Sequence, residues 1–576
     1  MKQYVSVILM NNYLNRRMKR YILLFALLCS FAAVPAQKLS KDVTDTRQSV
    51  ATILVYRQGV LQGSGTAVFV NGNGEILTDY SLLSGADSAV TIDPSGKVRR
   101  VERILGVNEM FNCVRARVAW DRKIKPLQIS STATPVGSEL YMVSYGVKKS
   151  GVITPLTVTA VDSVYSSAYY TFKHRMKEQY LSLPLVNGEG ELVAIMQPTS
   201  ARDTINSYAA GLSFVPSLEP SSLNYGRGYY ARMGIRTAIP ATKEVALSCL
   251  YMQAMVGDSL SYRATVDDFI VAFPREYEGY LARAEYAAVY LRDMNLAEES
   301  WKKALSLADN DSEVYFGEGK VIYSIVQSGD SLSSPLLTYD NAMEAVNQAI
   351  ETDNQPIYTA YKADMLLSRG MLSEAAVCYE SMSGTVMRSA DYFAKAANCR
   401  FMLKEYDAAI ALLDSAVCFY QGSDDKASAQ YILTRALVKL TAEKYRDAVF
   451  DYNKYEEIMS GSLSAAFYYL RSQAELSAKM YQQALSDLDN AIYLSPQDPL
   501  YYVDKALLCY RVKLTDEGIR SLEAALKFAP DNADVHYLLG RLYIQAEEKA
   551  KAREAFEKAS ALGHSEAAAA LEGMDE

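Results

Sequence analysis

Histidine is the scarcest reactive residue in this chain, with three in 576 residues: His174, His536 and His564. A mechanism that needs an imidazole base or several imidazole ligands has few places to stand. Cysteine is also sparse, and its seven copies never form a C-x-x-C pair, which excludes a zinc ribbon and a thioredoxin-like redox site. Cys113, Cys249, Cys378, Cys399, Cys418 and Cys509 lie mostly in apolar, helix-like contexts, where a free thiol packs as a small hydrophobe. A Cys399–Cys418 disulfide stays open as the alternative. There is no excess of positive charge: 59 Lys and Arg stand against 67 Asp and Glu, a net −8, so no nucleic-acid partner is expected. Phosphate-cradling Gly-rich loops ending in Lys and H-E-x-x-H are absent, so no cofactor and no metal is expected. Hydrophobic residues at 50%, with only 30 Gly and 16 Pro, exclude wholesale disorder.

Long hydrophobic runs are missing as well. The one apolar stretch, Tyr21 to Phe31, is too short for the ~30 Å of a bilayer core. Lys19 and Arg20 precede it, and Val34-Pro35-Ala36 follows. That order reads as a secretory signal peptide over residues 1–36, with Met18 as the alternative start. Cys29 is preceded by Leu28, a poor residue for a lipid-anchor cleavage site, so cleavage after Ala36 and export to the periplasm is the expectation. No transmembrane segment is expected after cleavage.

The rest of the chain changes period part-way. From about Ser49 to Val215 it reads as short strands. Ala51 to Tyr56 is β-branched and apolar, and Asn71-Gly72-Asn73-Gly74 is a turn signal before Glu75 to Thr78. Such spacing implies an all-β sandwich or barrel. After Thr242 the period becomes 3.6, and positions recur 34 apart: Ala491, Ala525 and Ala559; Leu488, Leu522 and Phe556; Ser472, Ala506 and Gly540; Pro496 and Pro530. A 34-residue period of two helices is the tetratricopeptide signature. Eight or nine helix pairs are expected over residues 242–576, the first ones degenerate, with an inserted loop at Gly329–Leu337. Residues 218–241, which hold Gly226, Gly228 and Pro240, read as a linker.

The strand half resembles a known family. Gly63-Ser64-Gly65, then Gly74-Glu75-Ile76-Leu77-Thr78-Asp79-Tyr80-Ser81 through Gly85-Ala86, resembles the first barrel of HtrA-type trypsin-like serine peptidases. Val136-Gly137 with Tyr141–Gly146, Leu183-Pro184-Leu185-Val186-Asn187, and Gly211 to Pro216 are similar to later motifs of that family, in the same order. The resemblance covers residues 48–217 and implies a trypsin-like double barrel. The fold class expected for the whole is therefore multi-domain: an all-β double barrel, then an all-α repeat solenoid.

The resemblance also implies a triad, and each of its positions departs. Ser81 stands where the family has its base histidine, Asn112 where it has the orienting aspartate, and Leu181 where it has the nucleophile. The glycines around the nucleophile become Gln179, Ser182 and Leu183. A serine hydroxyl needs an adjacent base to attack a carbonyl, and a leucine cannot attack at all. Losing such a triad as a unit costs about 10⁶-fold in turnover. The chain is therefore expected to be a non-catalytic, protein-binding scaffold. The alternative is an active serine endopeptidase with a rearranged site, such as a Ser182–His174 dyad, that recruits substrates through its repeats.

In the repeats, first helices line a groove that holds a protein or peptide partner. Placing the repeat pattern on this sequence gives Asn398, Phe401, Leu437, Tyr469, Gln473, Leu507, Tyr537 and Arg541 as groove residues, with Asp391, Ala394, Leu433 and Val503 beside them. Tyrosine, at 43 copies, suits such a surface because it offers a flat apolar body with a polar tip. His536 and His564 read as solvated.

Overall fold

A computed structural model describes residues 39–119, 124–146, 151–175, 177, 181–199, 203–420, 425–459, 461 and 463–575. The signal segment 1–36 and Gln179 lie outside them. Alternating apolar residues place β1 (Val50–Arg57), β2 (Val60–Val70), β3 (Glu75–Asp79), β4 (Ser88–Ile92), β5 (Val98–Asn108) and β6 (Cys113–Val118) in one closed antiparallel barrel, ordered β1-β2-β3-β6-β5-β4. The turn between β2 and β3 is the expected one, with Asn71 and Gly74 both at positive φ. β7 (Glu139–Val143), β8 (Ile153–Val164), β9 (Ser167–Phe172), β10 (Pro184–Val186), β11 (Leu192–Gln197) and β12 (Ser207–Gly211) close a second barrel, ordered β10-β11-β12-β9-β8-β7.

The segment read as a linker is a packed strap. Tyr230, Met233 and Ile235 are buried and share the first barrel's core with Ile53, Phe69 and Ile76. The Tyr230 hydroxyl accepts the Val107 amide at 3.2 Å. Ile104 donates to the Arg236 carbonyl and accepts from the Ala238 amide, so the strap adds a parallel bridge to β5. Gly106 is required where the strap crosses: a Cβ there would sit 2.2 Å from the Leu218 carbonyl oxygen. Burial of three large apolar side chains outweighs the local Gly and Pro signals that suggested a flexible connection.

Helices Lys243–Val256 and Ser259–Ala272 attach to the strap and to β5. Asp268 pairs with Arg103 (3.3 Å) and Arg236 (2.9 Å), and Gln253 donates to the Tyr225 carbonyl (3.1 Å). The chain accordingly divides into two compact units, one ending at Tyr286 and the other running from Ala287. From Lys243 onward the described helices form nine pairs and a closing helix, Ala567–Asp575. Gly329 ends helix Ser312–Ser328 in the left-handed region, and a helix-free connection precedes Tyr339.

Helix boundaries follow local chemistry. Ser389, Ser464, Asp498 and Asn532 cap first helices by accepting amides of their first turns. Each later first helix hands over to its partner through one residue at positive φ: Lys404, Glu443, Lys479, Lys513 and Glu547. Cations then tie the repeats together. Arg435 binds Asp451 of its own second helix with two nitrogens (2.6 and 2.8 Å) and Asp414 of the preceding one (2.6 Å). Arg471 grips Asp487 the same way and reaches back to Asn453 and Glu456. Lys505 bridges Asp489 and Glu517. Arg400 does likewise with Glu380 and Glu405, from nearer its helix end. Beside Arg471, burial and the neighbouring Asp487 push the Glu475 carboxyl up to about 8.

The small-large pairing of the repeats has a steric basis. Where two repeats place Ser472 and Ala506 with Leu488 and Leu522, the last places Gly540 with Phe556. A Cβ at Gly540 would lie 2.5 Å from the Phe556 ring, which is itself buried. Gly540→Ala should therefore destabilise the array, because overpacking costs ~1–3 kcal/mol and exceeds the ~1 kcal/mol that alanine returns in helix propensity. Phe556→Leu should cost less in the Gly540→Ala background than in the native chain. A denaturation double-mutant cycle reads this directly, and additive effects would refute it.

Candidate functional site

β3 runs straight into a short helix, Tyr80–Leu83, and Ser81 lies exposed on it. β6 pairs with β3 so that Asp79 stands opposite Cys113, with Asn112 just before the strand at φ 47°. The structure brings two of the three expected positions together. The Asn112 carboxamide oxygen accepts the Ser81 amide at 2.7 Å. Its nitrogen donates to Asp79 Oδ1 at 3.0 Å, and its backbone carbonyl accepts the Tyr80 amide. An aspartate at 112 would face Asp79 with a second carboxylate and no donor, so the amide is matched to its neighbour.

Asp79 is the residue that sequence reasoning missed. It is buried, and desolvation pushes its carboxyl up to about 7. Burial likewise holds the Cys113 thiol far above its usual range, with the Asp79 charge adding to it. Tyr80 and its surroundings are covered by the strap: the Tyr229 ring meets Tyr80 edge-on at 6.3 Å, and Arg232 pairs with Glu109 at 3.0 Å.

The third expected position is Leu181, which is half-buried ahead of β10. Ser182 beside it is buried at φ 56°, with its amide bonded to the Met196 carbonyl at 3.0 Å. His174 follows β9 and is half-buried, and burial together with Lys177 lowers its pKa, so its ring stays neutral. Among the described residues no group of three or more His, Cys, Asp or Glu is disposed to hold a metal ion.

Five of the expected groove residues converge in the last repeats. Tyr469 (2.9 Å) and Gln473 (3.1 Å) both donate to Asp504. Arg541 donates to the hydroxyls of Tyr537 (3.3 Å) and Tyr510 (3.0 Å). Leu507 is exposed between them. Burial and Asp504 push the Tyr469 phenol up to about 12. Asn398 and Leu437 are exposed on other first helices. Asp391 accepts the Tyr431 hydroxyl at 2.6 Å. Phe401 is half-buried and packs on Tyr406 at 5.8 Å at its helix end, as Tyr469 and Tyr537 also pack against inter-helix cores. Ala394, Leu433 and Val503 also pack into inter-helix cores. His536 is buried and bonded to the Pro530 carbonyl (2.9 Å), and His564 stacks on Tyr537 at 4.0 Å, so neither is a solvated side chain. Cys399 and Cys418 are both free, the first buried and the second exposed.

Residues 513–574 match the family model described as tetratricopeptide repeat. The helix pairs before that segment have an arrangement consistent with a tetratricopeptide solenoid. No curated protein matches the chain. Among solved structures, the chain is similar to a serine endoprotease from Yersinia pestis (14% identity, 32% of this chain, 66% of that one, TM-score 0.28). It is also similar to the active form of the Rv3671c protease from M. tuberculosis (14%, 33% and 92%, TM-score 0.27). A third is YrrB, a tetratricopeptide-repeat protein with an unusual peptide-binding site (21%, 34% and 99%, TM-score 0.29). The match spans just under two thirds of the Yersinia enzyme. These likenesses are remote; the trypsin-like double barrel is read from its two closed six-strand orders and the tetratricopeptide array from its paired helices.

The Asp79 shift sets a pH dependence. Its folded value lies above the unfolded 3.8, so its contribution to stability is fully present below about pH 4 and disappears as pH rises through about 7. Asp79→Asn keeps an acceptor for Asn112 and does not titrate. Its melting temperature, relative to the native chain, should rise between pH 5 and pH 8, with at most about 4 kcal/mol at stake. An equal difference at both values would show that Asp79 ionises normally.

Proposed function

We propose that the chain is an exported, non-catalytic scaffold in which a trypsin-like double barrel is joined to a tetratricopeptide array that holds a protein or peptide partner. One observation carries the reading. The Asn112 carboxamide spends its donor on Asp79 and its acceptor on the Ser81 amide. An acid–base relay needs a group there that accepts a proton from a nucleophile and an ionised carboxylate that steadies the resulting cation. Ser81 accepts no proton at neutral pH, Asn112 carries no charge, and Leu181 has nothing to attack with.

The repeat pattern supports the binding role, since such helix pairs present side chains of successive first helices along one face. Export rests on the segment around Tyr21–Phe31 and its small-residue exit. Intact-mass analysis of protein recovered from the periplasm of its host should place the mature N-terminus at Gln37.

Purified protein should neither take a fluorophosphonate label nor cleave casein above background. Labelling that vanishes on Ser182→Ala, or cleavage abolished by one substitution within 48–217, would overturn the non-catalytic reading in favour of a serine endopeptidase.

A further inference from the structure

A line of polar contacts crosses three successive first helices, Ala465–Ser477, Pro499–Val512 and Ala533–Gln545. At one end is Asp504, held by two neutral donors, Tyr469 and Gln473. At the other is Arg541, held by two neutral acceptors, the hydroxyls of Tyr510 and Tyr537. Leu507, 42% exposed, lies between them on the same helix as Asp504. Gln473, Leu507 and Arg541 occupy the same position in consecutive 34-residue repeats, and Asp504 is one turn before Leu507.

These two charges differ from the cations that clasp successive repeats. Arg471 and Lys505 each face two carboxylates. Asp504 and Arg541 have no oppositely charged partner among the described residues. Neutral hydrogen bonds orient a charge without cancelling it. A guanidinium has five N–H donors, and the phenols do not exhaust them. The face thus presents an anion and a cation, neither in a direct ion pair among the described residues, with an apolar residue between; Glu566 stands behind Tyr537, whose hydroxyl donates to it at 3.0 Å.

We infer, resting on the peptide-binding reading of the repeats, that this face takes an extended peptide carrying a basic side chain on Asp504, an apolar side chain over Leu507 and an acidic side chain on Arg541. Arg541 suits the acid because its planar fork binds a carboxylate through two parallel hydrogen bonds. Charges on neighbouring helices suit an extended chain that crosses both.

The test is a random peptide library with amidated C-termini, selected against the full chain, Arg541→Glu and the Asp504→Lys/Arg541→Glu double variant. Both positions are outside the buried cores, and circular dichroism checks that each variant folds. The native chain should enrich peptides with a basic and an acidic residue flanking an apolar one. Arg541→Glu should weaken those peptides by about tenfold to a hundredfold, the size of a charge-assisted hydrogen-bond pair. The double variant should favour peptides in which the order of charges is reversed. Enrichment without that charge pattern, or affinity indifferent to Arg541→Glu, overturns the bipolar site and leaves peptide binding standing. No enrichment by the native chain overturns both.

Discussion

A cation placed on each of several first helices, and clasped between two second helices, is the contact on which the helical array turns. Arg435, Arg471 and Lys505 each hold a carboxylate of their own repeat and one of the repeat before, so they fix how far one pair is rotated on the next. Such buried pairs are modest sources of net stability, because both ions lose their water. Breaking one is another matter: about 3–5 kcal/mol follows from leaving a lone buried charge. Asp451 is fully enclosed, and Asp487 nearly so, with Glu475 beside it already pushed toward its protonated form. The ladder therefore works as a register device. Asp504 and Arg541 lie outside that ladder.

The first barrel shows a similar economy around Asn112. In a catalytic triad the buried carboxylate is balanced by the imidazolium that forms beside it. Without a base, a carboxylate there would be a buried charge with no partner. An amide at 112 resolves the local electrostatics, and Asp79 moves toward the neutral acid. Both changes let the β3–β6 corner keep its shape.

Much of the architecture was legible because it is periodic. Alternation and Asn-Gly turns marked the strands, and the recurring Ala, Leu and Pro positions marked the helix pairs. The same register picks out Tyr469, Gln473, Leu507, Tyr537 and Arg541, which lie near one another in the last repeats. It missed Asp504 and Tyr510, which share their helix but repeat in no other pair. Phe401, at its helix end, meets the ring of the second-helix residue Tyr406. Asp79 was invisible because a single carboxylate at a strand end makes no pattern; only its burial gives it meaning. The strap was misread for a related reason. Gly226, Gly228 and Pro240 dominate its composition, while Tyr230, Met233 and Ile235 are spread too irregularly to signal a strand.

That strap has a consequence for how the chain comes into being. Val107 waits for Tyr230, 123 residues further on, and all six strands of the second barrel lie between them in sequence. During synthesis the earlier barrel emerges before the strap residues that fill its core, while the later one already possesses every strand it needs. The order of maturation is thus the reverse of the order of emergence. A nascent chain halted before the strap would present an open apolar mouth at its leading end, where chaperone capture or misassociation begins.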